Sequence, residues 1–344
     1  MSPHFAVRLA EPGRFESIQD PLPDAAPDEA RIRIRRIGVC GTDIHAFHGR
    51  QPFFSYPRIL GHELAGEVLS APAGSGLNIG DVVAVEPYLN DPSSPASTAG
   101  NSNCCEQLQV LGVHCDGGMR AELNAPVRKL HPAPGLSLDQ LALVEMLGIG
   151  YHAVGRASLN GSGCALVLGA GPIGLSVLTF LRSRVARTVV ADLSSSRLEF
   201  CHDAFGVSET LRLSPDMDDS SVLQAVRQSC GGTLPTLIFD ATGNRASMDR
   251  TFHLVAHGGE IVFVGLTTEP LTLDDPNFHR REITLRASRN ATTPEFRAVI
   301  DAIAAGTVDT APWVTHRLTL DEVPEGFCRM VGDPTLRKGI IEVS

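Results

Sequence analysis

Residues 38–67 read GVCGTDIHAFHGRQPFFSYPRILGHELAGE. They place a thiol (Cys40), a hydroxyl (Thr42) and an imidazole (His45) in one short segment. After a Pro- and aromatic-rich stretch come an imidazole and a carboxylate side by side, His62 and Glu63. Thiolate, imidazole and carboxylate form the ligand set of a zinc site, and a catalytic zinc takes three protein ligands while keeping one position open. Gly38, Gly41, Gly61 and Gly66 bracket these groups, as expected where backbone bends closely around a metal. Alone, a Cys is usually a small buried hydrophobe, and a His–Glu pair is usually a surface pair. A second motif, further along the chain, reverses that balance.

That motif is CALVLGAGPIGLSVLTFLRSR, beginning at Cys164. It reads as a buried strand, a turn carrying Gly169, Gly171 and Gly174, and an apolar helix opening at Pro172 and Ile173. Gly-x-Gly-x-x-Gly alone is weak. Here it follows a strand, opens a helix and precedes a second strand (TVVAD) ending in Asp192, about 20 residues on, as a dinucleotide site requires. The glycines let a pyrophosphate approach N–H groups at the positive helix end. Asp192 suits the two ribose hydroxyls and would repel a 2′-phosphate, so NAD is expected over NADP. TLIFDATG and GGEIVFVGL continue the sheet, with Thr242 and Val264, Gly265 and Leu266 at carboxyl ends of strands, where ligands bind in open α/β sheets.

Before this region the chain is β-rich. In RIRIRRIGV, alternation of Arg and Ile predicts a half-buried strand with Ile on one face. LAGEVL and DVVAVE read as further strands around a Gly-rich turn. In DQLALVEMLGIGYHAV the apolar residues recur at helical spacing, which sets Glu145 in an apolar neighbourhood. A buried carboxylate is costly unless it is paired or binds metal.

The 344 residues suggest two domains. A net charge of −10 argues against nucleic acid or an anionic membrane as partner. MSPHFAVRLAEPGRF lacks the basic and apolar regions of a secretion signal, and no run of about 18 apolar residues is present to span a bilayer. Eight scattered cysteines suit thiols or metal ligands in a cytoplasmic enzyme.

GVCGTDIH followed by GHELAGEV resembles the zinc-dependent medium-chain alcohol and polyol dehydrogenase family, and the resemblance runs over nearly the whole chain. It implies an α/β protein with a GroES-like β-rich catalytic domain (1–150 and 288–344) and a Rossmann doubly wound parallel sheet (151–287). It implies that Glu145 joins Cys40, His62 and Glu63 at zinc or at its water. It places Arg197 over the adenine, and Arg289 near nicotinamide and substrate with Asn290 beside it. Such a zinc lowers the pKa of a coordinated alcohol, whose alkoxide gives hydride to the nicotinamide; Thr42 and His45 then relay the proton outward. Relatives are dimers or tetramers, so a homo-oligomer is expected.

Many members hold a structural zinc in a C-x-x-C-x-x-C segment with a fourth Cys eight residues later. Here Asp91, Ser94 and Ser97 stand at the first three positions and only Cys105 remains. One thiolate cannot make a closed cage, so one catalytic zinc and no structural zinc are expected. The composition of residues 92–102 suggests an exposed, mobile loop, with Cys104 and Cys105 simply buried. Glu145 in place of Cys points to polyols and sugar derivatives. Several segments look similar to bacterial aldonic-acid dehydrogenases of the L-galactonate or L-gulonate 5-dehydrogenase kind, for which Arg289 or Arg50 could bind a carboxylate. Ala46 departs from the substrate-contacting Tyr of sorbitol dehydrogenases. L-threonine or simple secondary-alcohol oxidation, or a non-catalytic cofactor-binding relative, stand as alternatives.

Overall fold

The Arg/Ile alternation becomes the strand Glu29–Val39. Ile32, Ile34 and Ile37 are fully buried, while the arginines lie on the other, wetter side. The step from Ile34 to Ile37 breaks strict alternation. A β-bulge between Ile34 and Arg36 absorbs the extra residue, so both isoleucines still face the core. The computed structural model describes residues 2–52, 54–159 and 163–344. These divide into two compact units, 1–146 with 291–344, and 147–290.

In the first unit a seven-stranded sheet runs Val314–Thr319, Lys338–Glu342, Glu29–Val39, Glu63–Ser70, Val82–Val85, Leu130–Pro132, with Glu122–Pro126 also paired to Glu29–Val39. Its core is built from the isoleucines above with Leu64, Val68, Val83, Val85, Phe327 and Ile341. The C-terminal strand Lys338–Glu342 lies antiparallel to Glu29–Val39 with Gly339 opposite Val39. Gly38 lies opposite Glu63 on the other flank. Those two pairings set Lys338, Cys40 and Glu63 around one strand end.

At the edge strand Leu130–Pro132 of that sheet sits a buried polar network. Glu86, fully buried, accepts from Lys129, from His131 Nε2 at 3.1 Å and from Thr293 Oγ1 at 2.8 Å. Burial alone would raise the pKa of Glu86, but the hydrogen bond from His131 and the Lys129 charge outweigh it and bring it below the ordinary 4.5. A carboxyl group held below its unfolded value stabilises the fold above that value, and the contribution fades as pH falls through the folded one. Glu86→Gln is therefore expected to cost about 3–5 kcal/mol at pH 7. The gap to the parent should narrow steadily below pH 4.5. Urea unfolding at pH 7 and pH 4 checks this, and an equal gap at both would contradict it.

The second unit is a six-stranded, all-parallel sheet in the order Glu209–Arg212, Arg187–Asp192, Cys164–Leu168, Leu237–Asp240, Glu260–Phe263, Thr284–Ala287. Counting these strands along the chain gives 3-2-1-4-5-6, the doubly wound order of dinucleotide-binding domains. The central strand Cys164–Leu168 is buried throughout, which accounts for its unbroken apolar run. Among the described residues no helix is long and apolar enough to cross a membrane.

Residues 91–105 are more ordered than their composition suggests. Ser94 caps the short helix Pro95–Thr98 and its hydroxyl donates to Ser97 Oγ at 2.9 Å. Asp91 N–H donates to Cys105 Sγ at 3.3 Å, and Asn90 Nδ2 to Ser97 Oγ at 2.9 Å. Hydrogen bonds, that from Ser94 first, lower the Cys105 pKa. Ser94, Asn103 and Cys105 are buried, whereas Cys104 is exposed. Composition misled because it cannot show short polar side chains satisfying one another.

Candidate metal centre and nucleotide cradle

The strand Glu29–Val39 ends at Cys40, which caps the helix Gly41–Phe47. Cys40 N–H donates to Asp43 Oδ2 at 2.9 Å, fixing the turn that presents the thiol. Cys40, His62 and Glu63 each offer a donor atom within 4.8 Å of the others. Among the described residues no other group of His, Cys, Asp and Glu meets that geometry.

His62 and Glu63 are buried. His62 Nδ1 faces Asp43 Oδ1 at 3.7 Å, too far for a hydrogen bond. Burial disfavours the imidazolium, but the charges of Asp43 and Cys40 win and raise the His62 pKa well above its ordinary value. Burial also raises Asp43. Glu63 Oε2 lies against the Lys338 ammonium, itself buried, while Glu63 Oε1 has no hydrogen-bond partner among the described residues. Gly38 makes the room, since a Cβ there would fall 2.0 Å from Glu63 Oε2.

A divalent cation fits this set. Glu63 Oε1 is a buried polar atom left unsatisfied by the chain, a costly condition that an ion can relieve. Sulfur, nitrogen and oxygen donors at this spacing suit zinc. Asp43 beside the imidazole is the arrangement that fixes a ligating histidine's tautomer.

Glu145 lies in the same unit, near the start of the helix Val144–Arg156, and is 6% exposed. The Tyr88 hydroxyl donates to its Oε1. Burial pushes Glu145 up to about 7, with Glu63 adding to the rise and His62 opposing it. Glu145 stands outside the cluster of three, although their charges reach it.

Thr42 and His45 lie three apart on the helix Gly41–Phe47 and so share a face. His45 is exposed; partial desolvation, then the Arg50 and His48 charges, lower its pKa. It is therefore neutral near pH 7 and able to accept a proton.

In the second unit Gly169 turns with φ +91°, and a Cβ on Gly174 would fall 1.8 Å from Gly169 O. Only glycine allows helix Pro172–Leu181 to pack so close to the strand. A Cβ on Gly171 would meet nothing nearer than Arg197 Nη1, at 3.8 Å, so the space beside its backbone is open. That open cradle at a helix N-terminus fits a pyrophosphate. Asp192 accepts from Ala170 N–H at 2.7 Å and Ser194 N–H at 2.8 Å, with Arg197 Nη1 3.9 Å away.

Thr242 donates its hydroxyl to buried Asp240 at 2.6 Å, closing the turn after Leu237–Asp240. Val264 and Gly265 N–H groups both reach Asp240 O, and Leu266 is 69% exposed. Arg289 is exposed; Asn290 adopts φ +54°, and its Nδ2 is buried with no hydrogen-bond partner. Both follow strand Thr284–Ala287 within the second unit. Three residues escaped the sequence reading: Asp43, Tyr88 and Lys338. Asp43 sits inside GTDIH and could have been read as a cap; Tyr88 and Lys338 carry no local signal.

The alcohol dehydrogenase GroES-like domain family matches residues 26–135, and the zinc-binding dehydrogenase family matches 172–305. An L-galactonate-5-dehydrogenase of Escherichia coli (strain K12) is 41% identical over 329 residues, covering 94% of each chain. A crystal structure described as a short chain alcohol dehydrogenase (rspB) from E. coli CFT073, complexed with NADH, superposes with a TM-score of 0.90 at 25% identity over 98% of each chain. A zinc-binding dehydrogenase from Sinorhizobium meliloti 1021 bound to NADP gives 0.87 at 23%, also over 98% of each chain, which shows the shared fold.

Proposed function

Since the chain belongs to the zinc-dependent medium-chain dehydrogenase family, we propose that it oxidises a secondary hydroxyl of a sugar acid with NAD, using one zinc held by Cys40, His62 and Glu63. The observation that carries this is the buried donor cluster with its unsatisfied carboxylate oxygen. When bound, zinc supplies Lewis acidity to a substrate hydroxyl, and NAD supplies the hydride acceptor. The chain does the rest. Burial of His62, Glu63 and Glu145 keeps water from the donor set. Thr42 relays the substrate proton, passing on its own hydroxyl proton as it accepts that of the substrate, and His45, neutral and exposed, delivers the relayed proton to solvent.

Asp192 at the end of its strand supports NAD over NADP, because a 2′-phosphate would meet its carboxylate. Asp91, Ser94 and Ser97 offer no thiolate, which supports a single zinc. A sugar acid is favoured over a neutral polyol by the Arg50 guanidinium beside the relay, whose charge acts on His45. The L-galactonate-5-dehydrogenase relative agrees with that preference. The edge strand Thr284–Ala287, with Leu285 exposed, supports a homodimer formed by sheet-edge pairing.

Reduction of NAD and of NADP by the zinc-loaded protein, followed by absorbance, tests this with L-galactonate, L-gulonate, sorbitol, L-threonine and 2-butanol. Aldonates with NAD are expected to give a kcat/KM about 100-fold or more above the others, the discrimination available from pairing a substrate carboxylate. Turnover of 2-butanol alone would overturn the substrate class. Absence of NAD binding would overturn the dehydrogenase assignment.

A further inference from the structure

We propose that Tyr88 is a positioning residue which, by holding one oxygen of Glu145, keeps that carboxylate off the metal so that Cys40, His62 and Glu63 bind it and a fourth position stays open for substrate. This rests on the zinc site proposed above.

Two carboxylates share the buried pocket, and their partners differ. Glu63 faces a cation, Lys338, and is one of the three clustered donors. Glu145 faces a neutral phenol and stands outside the cluster. Nothing in the chain's covalent geometry keeps Glu145 away from a metal; it is a buried carboxyl group close enough for its charge to act on His62. The restraint is the hydroxyl of Tyr88, and a hydrogen bond to a carboxylate is stronger than a neutral one.

Tyr88 can act as an anchor because it cannot follow Glu145. It is 2% exposed and lies on a short strand, Tyr88–Leu89, paired with Gln109–Val110. Its ring meets Phe296 edge-on at 5.8 Å. Phe296 in turn stacks on His131 at 5.5 Å. His131, Lys129 and Thr293 all bind Glu86, two residues before Tyr88. This network contributes no donor to the cluster, and its place behind the phenol gives it a function: it fixes the phenol oxygen.

Tyr88→Phe keeps the ring and its packing while deleting the hydroxyl. Glu145 then lacks its donor and is expected to take the metal as partner. Chelator competition should show zinc bound about tenfold or more tightly, as changes to groups around a metal site commonly shift affinity. The cobalt(II)-loaded variant should show altered visible bands, because an added oxygen ligand changes the coordination number. KM for the alcohol should rise as the open position closes. Tyr88→Phe/Glu145→Gln should return zinc affinity to the parent's range. Unchanged zinc affinity and cobalt spectrum in Tyr88→Phe, or weaker zinc binding, would overturn the proposal. A parent protein that binds neither zinc nor cobalt would instead overturn the metal site itself.

Discussion

Cys40→Ser is expected to lose zinc on dialysis and to lower turnover by about 1000-fold, the several kcal/mol that a Lewis acid contributes to such a step. The thiol is the only soft donor in the cluster, and Ser replaces a thiolate with a hydroxyl that stays protonated. The fold should survive. Cys40 is partly exposed at a strand end, and the turn around it is made by its own N–H bonded to Asp43, which serine retains. NAD affinity, proposed above to rest on the glycine turn and Asp192 in the second unit, should be unaffected. Metal content by elemental analysis and NAD binding by fluorescence separate these effects. Full zinc occupancy in Cys40→Ser would remove the thiol from the donor set.

Local patterns made the fold and half of the site legible. The glycine turn, the buried run Cys164–Leu168 and Asp192 sit within one short stretch whose spacing matches that of a dinucleotide-binding turn. Cys40, His62 and Glu63 were readable because their residue types already name a ligand set. The groups that tune the site were not. Tyr88 lies 57 residues from Glu145, and a phenol in a strand looks like core until its acceptor is known. Lys338 opens KGIIEV, where a lysine at a strand start reads as solvated; only the antiparallel pairing beside Val39 turns it inward. The bulge at Ile34 was equally silent, since Arg-Arg can be read as two exposed residues in either register. Sequence spacing reports what neighbours along the chain share, and these contacts are made by register.

Lys338→Met is expected to destabilise the metal-free protein by about 3–5 kcal/mol, the usual result of leaving one partner of a buried ion pair unmatched. Lys338 is 1% exposed and Glu63 equally enclosed, so water cannot take the place of the ammonium. Lys338→Met/Glu63→Gln should recover most of the loss, because the coupling between the two positions is the ion pair itself. Zinc makes the prediction specific to the site. In the parent, the carboxylate that would bind the metal is already engaged by Lys338, so zinc must compete with an ammonium for it. In Lys338→Met that competition is gone and Glu63 has the metal as its sole charged partner. Zinc should therefore raise the urea midpoint of the variant more than that of the parent, by linkage to a tighter dissociation constant. Were the zinc-dependent gain equal in both proteins, Glu63 would be a structural anion paired to Lys338, and the third ligand would have to be sought at Glu145.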